Sequence, residues 1–507
     1  MALARALSVA LVGVVGHVVE VEADLASGLP GLVIVGLPDT SLSEARDRLR
    51  AALVNSGYPW PAKRITLGLS PATLPKHGSG FDLAMAAAIL VAAGAAPPES
   101  LRERAVVGEL GLDGRVRPVR GVLPAAMAAA RAGLRGIVVP SSNWREAALV
   151  PGLQVRGVPT LSALLAWLRG EDLADSDEPV PAAGPPEPAW PDLVDVVGQA
   201  YGREALEVAA AGGHHLLFVG PPGAGKTMLA ERLPGLLPAL DLDAALEVTA
   251  VHSVAGVLPP GEPLIQRAPY QAPHHSASIA ALVGGGTGLA RPGALSLAHR
   301  GVLFLDEAPE FPGGVLDALR QPIERGEVVL ARSGGITRYP ARVQLVLAAN
   351  PCPCSSPLGD QACTCTAVSR RRYLGRLSGP LLDRIDLQVE LNAVGRAALL
   401  ADAAGLETSA VVARRVAAAR AAAAERLAGT GWRTNAEVPG QVLRNRWRLP
   451  RSVRQAADLG VDRGELSARG YDRVLRVAWT LADLGRRSQP DAGDVGAAYH
   501  LRTRRAA

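Results

Sequence analysis

Lysine is almost missing from this chain: Lys63, Lys76 and Lys226 are the only three in 507 residues, and arginine carries the remaining positive charge. Arginine used for lysine on this scale, with so much alanine, reflects a GC-rich genome. The net charge of +5 therefore does not by itself argue for a nucleic-acid partner. No uninterrupted apolar run reaches the roughly 20 residues of a membrane-spanning helix. Met1 to Gly16 faintly resembles a secretion signal, yet no cleavage site follows, and Val18 to Ala23 alternates apolar and acidic like a strand. The expectation is a cytoplasmic protein with no membrane partner. Cysteine is absent outside one short stretch, which excludes a disulfide framework across the chain. No internal repeat is present, and the length predicts two to four domains.

An acidic and proline-rich stretch, residues 171–191, has little to bury and reads as a linker. It separates an N-terminal domain, residues 1–170, from a second module at 192–395. Beyond residue 396, long alanine and arginine stretches (Ser409 to Arg426, Ser467 to Leu484) predict a helical unit, 396–507.

The most informative segment is Gly220-Pro221-Pro222-Gly223-Ala224-Gly225-Lys226-Thr227. It follows the apolar run His215 to Val219 and precedes a helix-forming segment, so strand, glycine loop and helix follow one another as in a Walker A loop. Glycines let backbone N–H groups close around phosphate oxygens, Lys226 reaches the β/γ-phosphates, and the Thr227 hydroxyl suits Mg²⁺. The expected ligands are ATP and Mg²⁺. Val302-Leu-Phe-Leu-Asp306-Glu307 is an apolar strand ending in two carboxylates, with Asp306 for Mg²⁺ and Glu307 to polarise water. The strand Val343 to Ala349 ends in Asn350, a polar group able to orient that water. Phosphoryl transfer also needs a cation from outside these motifs. Arg384, in Ser378-Gly-Pro-Leu-Leu-Asp-Arg-Ile-Asp386, and Arg469, in Leu466-Ser-Ala-Arg-Gly-Tyr-Asp-Arg-Val, are the candidates; the alternative for either is a solvated arginine.

All four cysteines fall in the 352–365 loop as Cys352-Pro-Cys354 and Cys363-Thr-Cys365. Clustering of this kind predicts a closed Cys₄ structural Zn²⁺ site, with redox use or unliganded thiols as alternatives. His274 and His275 read as interface or hydrogen-bonding residues, since no third metal ligand accompanies them.

These motifs, with Pro269-Tyr-Gln-Ala-Pro-His-His-Ser276, Gly284-Gly-Gly286 and Arg291 to Glu307, resemble the magnesium-chelatase-like branch of the AAA+ ATPases, and more narrowly the YifB/ComM family, nearly end to end. The resemblance implies a multidomain α/β chain. It would comprise an N-terminal α+β Lon-protease-like domain of the ribosomal S5 domain 2-like kind, a central AAA+ P-loop αβα sandwich with a parallel sheet, and a C-terminal helical lid. It further implies a homo-hexameric ring with ATP sites between subunits, Arg384 as the trans-acting arginine finger, Arg469 as the sensor-2 arginine, and Gln199 near the adenine pocket.

The Lon-like segments are Leu74-Pro-Lys-His-Gly-Ser-Gly-Phe-Asp-Leu83, Gly108 to Gly121 and Ile137-Val-Val-Pro140. Where Lon places its nucleophilic serine this chain has Gly80, with Ser79 one residue early. No lysine occupies Arg120 to Ala130, where Lon carries its activating lysine. A serine–lysine dyad needs both partners, so the domain is expected to be a scaffold and not a peptidase.

For the work of the motor, the resemblance implies a DNA helicase or translocase promoting branch migration in homologous recombination or natural transformation. Single-stranded or branched DNA and recombination proteins would be its partners. Glu327 to Arg342 predicts a β-hairpin with a Ser-Gly-Gly turn, aimed at the pore, where Arg332 and Arg338 track phosphates and Tyr339 stacks on a base; a solvated hairpin is the alternative. Protein remodelling and metal chelation are the competing functions. Against the first, the only aromatic between the two Walker motifs is Tyr270, outside an aromatic-apolar-glycine pattern. Against the second stand the extra N-terminal domain and the cysteine cluster. The intact set of Asp306, Glu307, Asn350 and Arg384 argues against nucleotide binding without turnover.

Overall fold

The computed structural model describes residues 2–36, 41–76, 78–171, 190–259, 263–286, 290–332, 335–354, 363–395 and 406–503. Most of the expected linker lies outside these residues.

The N-terminal part is built on a long antiparallel hairpin, Ala2–Val12 against Val15–Ala26, paired from Ala2↔Leu25 to Val12↔Val15. The alternation seen in the sequence becomes a face: Val19, Val21, Ala23 and Leu25 are buried while the residues between them are not, as period-2 side chains require. This hairpin sits inside a seven-stranded mixed sheet whose order is Gly31–Val35, Arg64–Ser70, Val15–Ala26, Ala2–Val12, Arg104–Val106, Gly136–Pro140 and Gln154–Val158. The helix Asp82–Ala92 covers one face and is buried all round, which is the pattern of a helix with no solvent side. The helix Val122–Arg131 belongs to the core on the other face.

The central part is a five-stranded, all-parallel sheet ordered Tyr270–Gln271, Val302–Leu305, Gln344–Ala349, Leu216–Val219 and Leu387–Glu390. Its strands are near-continuous apolar runs because both faces are covered. Leu216 and Phe218 join one core cluster, while Leu217 and Val219 join the other. The first cluster runs on into the C-terminal helices through Val412, Val416 and Trp479. The helices Ser409–Leu427 and Ala468–Leu484 pack on Ala200–Gly212, so the C-terminal helical region shares a core with the sheet.

Among the described residues, the N-terminal part meets the central part through a helix pair and through a hairpin turn. The helix Leu242–Ala255 packs on Val122–Arg131, where Glu146 accepts hydrogen bonds from Leu123 N–H at 2.8 Å and from the Ser253 hydroxyl. The turn at Gly13 also meets the hairpin strand Gly335–Pro340: a Cβ at Gly13 would stand 2.5 Å from the Arg338 carbonyl oxygen, and φ there is +67°. Only glycine fits that close approach.

Candidate nucleotide site

The glycine loop leaves the strand Leu216–Val219, which lies between the strands ending in Asn350 and Glu390, and it runs directly into the helix Lys226–Leu236. Gly223 and Gly225 adopt φ of +76° and +85°, the left-handed region that glycine enters without penalty. Gly225 caps the helix and no side chain supplies a cap bond, leaving the first N–H groups to point into the loop, where a phosphate would accept them. Lys226 is only 8% exposed. Its Nζ donates to the carbonyls of Gly220 at 2.6 Å and Pro221 at 2.9 Å and to Asn350 Oδ1 at 3.0 Å. Burial pulls the Lys226 pKa below its ordinary value, opposed by the nearby Asp306 and Glu307 carboxylates.

Thr227 donates from its hydroxyl to Asp306 Oδ2 at 2.8 Å, and the other Asp306 oxygen accepts the Glu307 N–H at 2.8 Å. A hydroxyl and a carboxylate side by side are the hard oxygen donors that Mg²⁺ takes, so these residues fit that ion. Glu307 itself sits at φ +49°, a region that costs a non-glycine residue energy and points to function. Its carboxylate lies 3.2 Å from His275 Nδ1, and the His275 ring lies against that of His274, tilted at 35° with centroids 4.0 Å apart. The sequence reading missed this pairing. His275 lies just beyond Tyr270–Gln271, and only the parallel pairing of that strand with Val302–Leu305 brings it to Glu307.

Gln199 is buried beside the loop, its amide donating to the carbonyls of Ala224 at 3.0 Å and Asn392 at 2.7 Å. The two candidate arginines lie elsewhere. Arg384 and Arg469 both line a cavity of about 1220 Å³ between the sheet and the C-terminal helices, with nine arginines against four carboxylates; none of Gly220 to Thr227 lines it. Arg384 donates to the Pro380 carbonyl at 2.6 Å and pairs with Glu324, and this contact holds the Glu324 carboxyl below its ordinary pKa. Glu324 was not anticipated from the sequence.

The four cysteine sulfurs come together: Cys352, Cys354 and Cys363 lie 3.1 to 3.5 Å apart, and all four lie within 4.8 Å of one another. None is in a disulfide. Four thiols sharing one point suit a tetrahedral Zn²⁺, whose Zn–S bonds are about 2.3 Å long.

The hairpin forms as Glu327–Arg332 paired with Gly335–Pro340; Ser333 and Gly334 of its turn lie outside the described residues. Arg332 is exposed, as is Arg338, which pairs with Glu327 at 2.8 Å. The expectation that Tyr339 stacks on a base is corrected. Tyr339 is 2% exposed and donates its hydroxyl to the Ala290 carbonyl at 2.6 Å, and burial pushes its pKa up to about 12. Adjacent strand residues face opposite sides, so an outward Arg338 turns Tyr339 into the core.

In the N-terminal sheet, Lys76 is fully buried, and its Nζ donates to the carbonyls of Gly36 at 3.1 Å, Leu74 at 3.2 Å and Pro71. The Ser79 hydroxyl donates to Glu109. The only lysine of the Lon-like segment is thus tied to backbone, and a carboxylate holds the serine.

Three family models cover the chain: "Magnesium chelatase, subunit ChlI" matches residues 192–399, "Subunit ChlI of Mg-chelatase" matches 21–143, and "Magnesium chelatase, subunit ChlI C-terminal" matches 406–502. An uncharacterized protein of Mycobacterium tuberculosis is 57% identical over 502 residues, covering 99% of both chains. The Escherichia coli protein YifB is 42% identical over 97% of this chain and 94% of its own. Competence protein ComM of Haemophilus influenzae is 42% identical over 96% and 94%. The Lon protease of Salinispora arenicola is 30% identical over 168 residues, 31% of this chain and 21% of its own. No helix among the described residues is long and apolar enough to cross a membrane. By its three matched segments, its all-parallel P-loop sheet and its full-length likeness to YifB and ComM, the chain belongs to the YifB/ComM family of magnesium-chelatase-like AAA+ ATPases.

Proposed function

We propose that the protein hydrolyses ATP in a homo-hexameric ring and uses the cycle to move along single-stranded or branched DNA, promoting branch migration. One observation carries this reading. Lys226, Thr227, Asp306, Glu307 and Asn350 lie close together beside the glycine loop, while Arg384 and Arg469 line a separate cavity, an arrangement that supports the reading. Two halves on different surfaces need a neighbouring subunit to meet, and an arginine supplied in trans is worth 10³- to 10⁵-fold in related phosphoryl transfers.

In this scheme the backbone N–H groups of Gly223, Ala224 and Gly225 wrap the phosphates, and Lys226 exchanges its carbonyl partners for phosphate oxygens. Thr227 and Asp306 would hold Mg²⁺, which when bound neutralises charge on the phosphate oxygens. Glu307 accepts a proton from the attacking water while Asn350 orients it. Arg384 and Arg469 of the adjacent subunit balance the charge that develops on the transferred phosphoryl group.

The DNA reading draws on the exposed arginines of the hairpin and on the competence role named for one relative. With Tyr339 in the core, the hairpin offers Arg332, Arg338 and the 60%-exposed Ile336, so phosphate contact and not base stacking is its expected mode. We take residues 1–170 as a non-peptidase scaffold and the four cysteines as ligands of a structural Zn²⁺ bracing the loop after Asn350. The test is the steady-state ATPase rate with single-stranded, duplex and forked DNA, with Glu307→Gln as control. Stimulation by single-stranded or forked DNA that weakens with salt supports the motor; a rate indifferent to every DNA rejects it in favour of protein remodelling.

A further inference from the structure

The segment carrying Arg384 is held from two sides. On the sheet side, the N–H groups of Asp386 and Leu387 both donate to the His215 carbonyl at 3.0 Å, and the His215 N–H returns a bond to Asp386 Oδ2 at 2.9 Å. On the helical side, Arg473 reaches across from the helix Ala468–Leu484. Its Nε donates to the Asp383 carbonyl at 2.9 Å and its Nη1 to Asp386 Oδ1 at 2.5 Å. The Asp386 side chain is wholly buried and that of Arg473 is 16% exposed. One guanidinium therefore bridges the residues immediately before and two after Arg384. Its fixed fork of donors satisfies two acceptors at once, which a lysine could not reproduce. Arg469 lies one helical turn before Arg473 on the same helix and lines the same cavity as Arg384, so whatever moves that helix moves both arginines.

Burial raises the Asp386 pKa, but the Arg473 guanidinium beside it outweighs this and holds the carboxyl well below the usual range. The bridge is a charged one, and loss of either partner leaves the other buried without its counter-charge.

We propose that Arg473 is the positioning residue of the arginine finger: by clasping Asp383 and Asp386 it fixes Arg384 to the lid helix, so that Arg384 and Arg469 reach the neighbouring nucleotide as one rigid pair. This rests on the trans-finger reading above. Misplacing a catalytic group by about 1 Å can cost on the order of 10²-fold in rate.

The test uses the full chain with single variants and co-assembled rings. Arg473→Ala is expected to lower kcat by about 10²-fold while the KM for ATP stays within about threefold, because its own Walker loop is untouched. Arg473→Lys, which keeps the charge and one hydrogen bond, is expected to recover part of that loss, and this also guards against a fold too weakened to read. In mixed rings Arg473→Ala should be rescued by Lys226→Ala subunits, which supply an intact finger, and not by Arg384→Ala subunits. Rescue by Arg384→Ala and not by Lys226→Ala would place Arg473 at its own nucleotide and overturn the proposal, as would an unchanged kcat. If Arg384→Ala itself is not rescued by Lys226→Ala, the finger does not act in trans and both readings fall together.

Discussion

His275 Nδ1 lies 3.2 Å from the carboxylate of Glu307, the residue whose φ of +49° already marks it as held against its preference. The imidazole stands against one oxygen of that carboxylate, Oε2, so it is placed to restrict where the group can turn. His275→Ala is expected to reduce kcat about tenfold, equivalent to about 1.4 kcal/mol in the barrier, with little change in KM. In a Glu307→Gln background the same substitution should have almost no further effect, because residues acting as a unit are not additive. A full additional loss in the double variant would show that His275 acts elsewhere.

Lys226→Ala should abolish nucleotide binding, read by calorimetry or a fluorescent ATP analogue, since it removes the cation that faces Gly220, Pro221 and Asn350. Glu307→Gln should still bind ATP yet turn it over at least 10²-fold more slowly. Tight binding by Lys226→Ala would sink the loop assignment.

Protein purified anaerobically should carry close to one zinc per chain by elemental analysis, since structural sites bind Zn²⁺ with large free energies at neutral pH. Cys352→Ser, at the most buried of the four, should lose the metal and lower the thermal midpoint. Wild-type protein that is free of metal and equally stable with a strong chelator would reject the site.

Within the C-terminal helices, Arg426 forks onto Asp483 at 2.6 Å through both terminal nitrogens and lies 4.7 Å from the Trp479 ring centroid. The Asp483 side chain is 2% exposed. Arg426→Ala leaves that carboxylate buried without its charge partner, held only by the Asn435 amide at 2.8 Å, which is expected to cost up to about 3–5 kcal/mol. Urea unfolding should show the loss as a lower midpoint, and a change below about 1 kcal/mol would contradict the burial argument.

Acid sensitivity has an identifiable source in His215. Burial, aided by Arg473, His214 and Arg476 and opposed by Asp386, lowers its pKa to about 4, and its Nδ1 accepts the Leu345 N–H at 3.0 Å, which requires the neutral ring. The unfolded chain binds this proton near pH 6.5 and the folded chain only near 4, so stability is complete above pH 6.5 and falls as pH drops toward 4. The contribution at stake is about 3 kcal/mol. His215→Gln should flatten the dependence of unfolding free energy on pH between 7 and 5; an unchanged slope would assign the acid lability to other groups.

Much of the candidate nucleotide site was legible because it is written locally. A glycine loop needs its residues at fixed spacing, and apolar strands ending in Asp306 and Asn350 announce their own ends. The likeness to YifB and ComM was legible for the same reason, from long contiguous motifs. The period-2 rule that turns Tyr339 inward is equally local, and applying it to Arg338 and Tyr339 forbids both from facing a pore. The pairing of His275 with Glu307 was not legible, because strand order brings together segments the sequence keeps apart.

By itself, then, the sequence determined the chemistry available: one lysine in a glycine-rich loop, a carboxylate pair, a cluster of four thiols and a supply of arginines. Local geometry set by bond lengths and backbone periodicity was enough to arrange the first three. Only the tertiary structure decided which of many arginines are gathered together, by tying the segment around Arg384 to Arg473 through Asp383 and Asp386 and placing Arg469 beside the same cavity. Arginines look alike in a sequence; what separates them is the burial and the partners that a folded core imposes on a few of them.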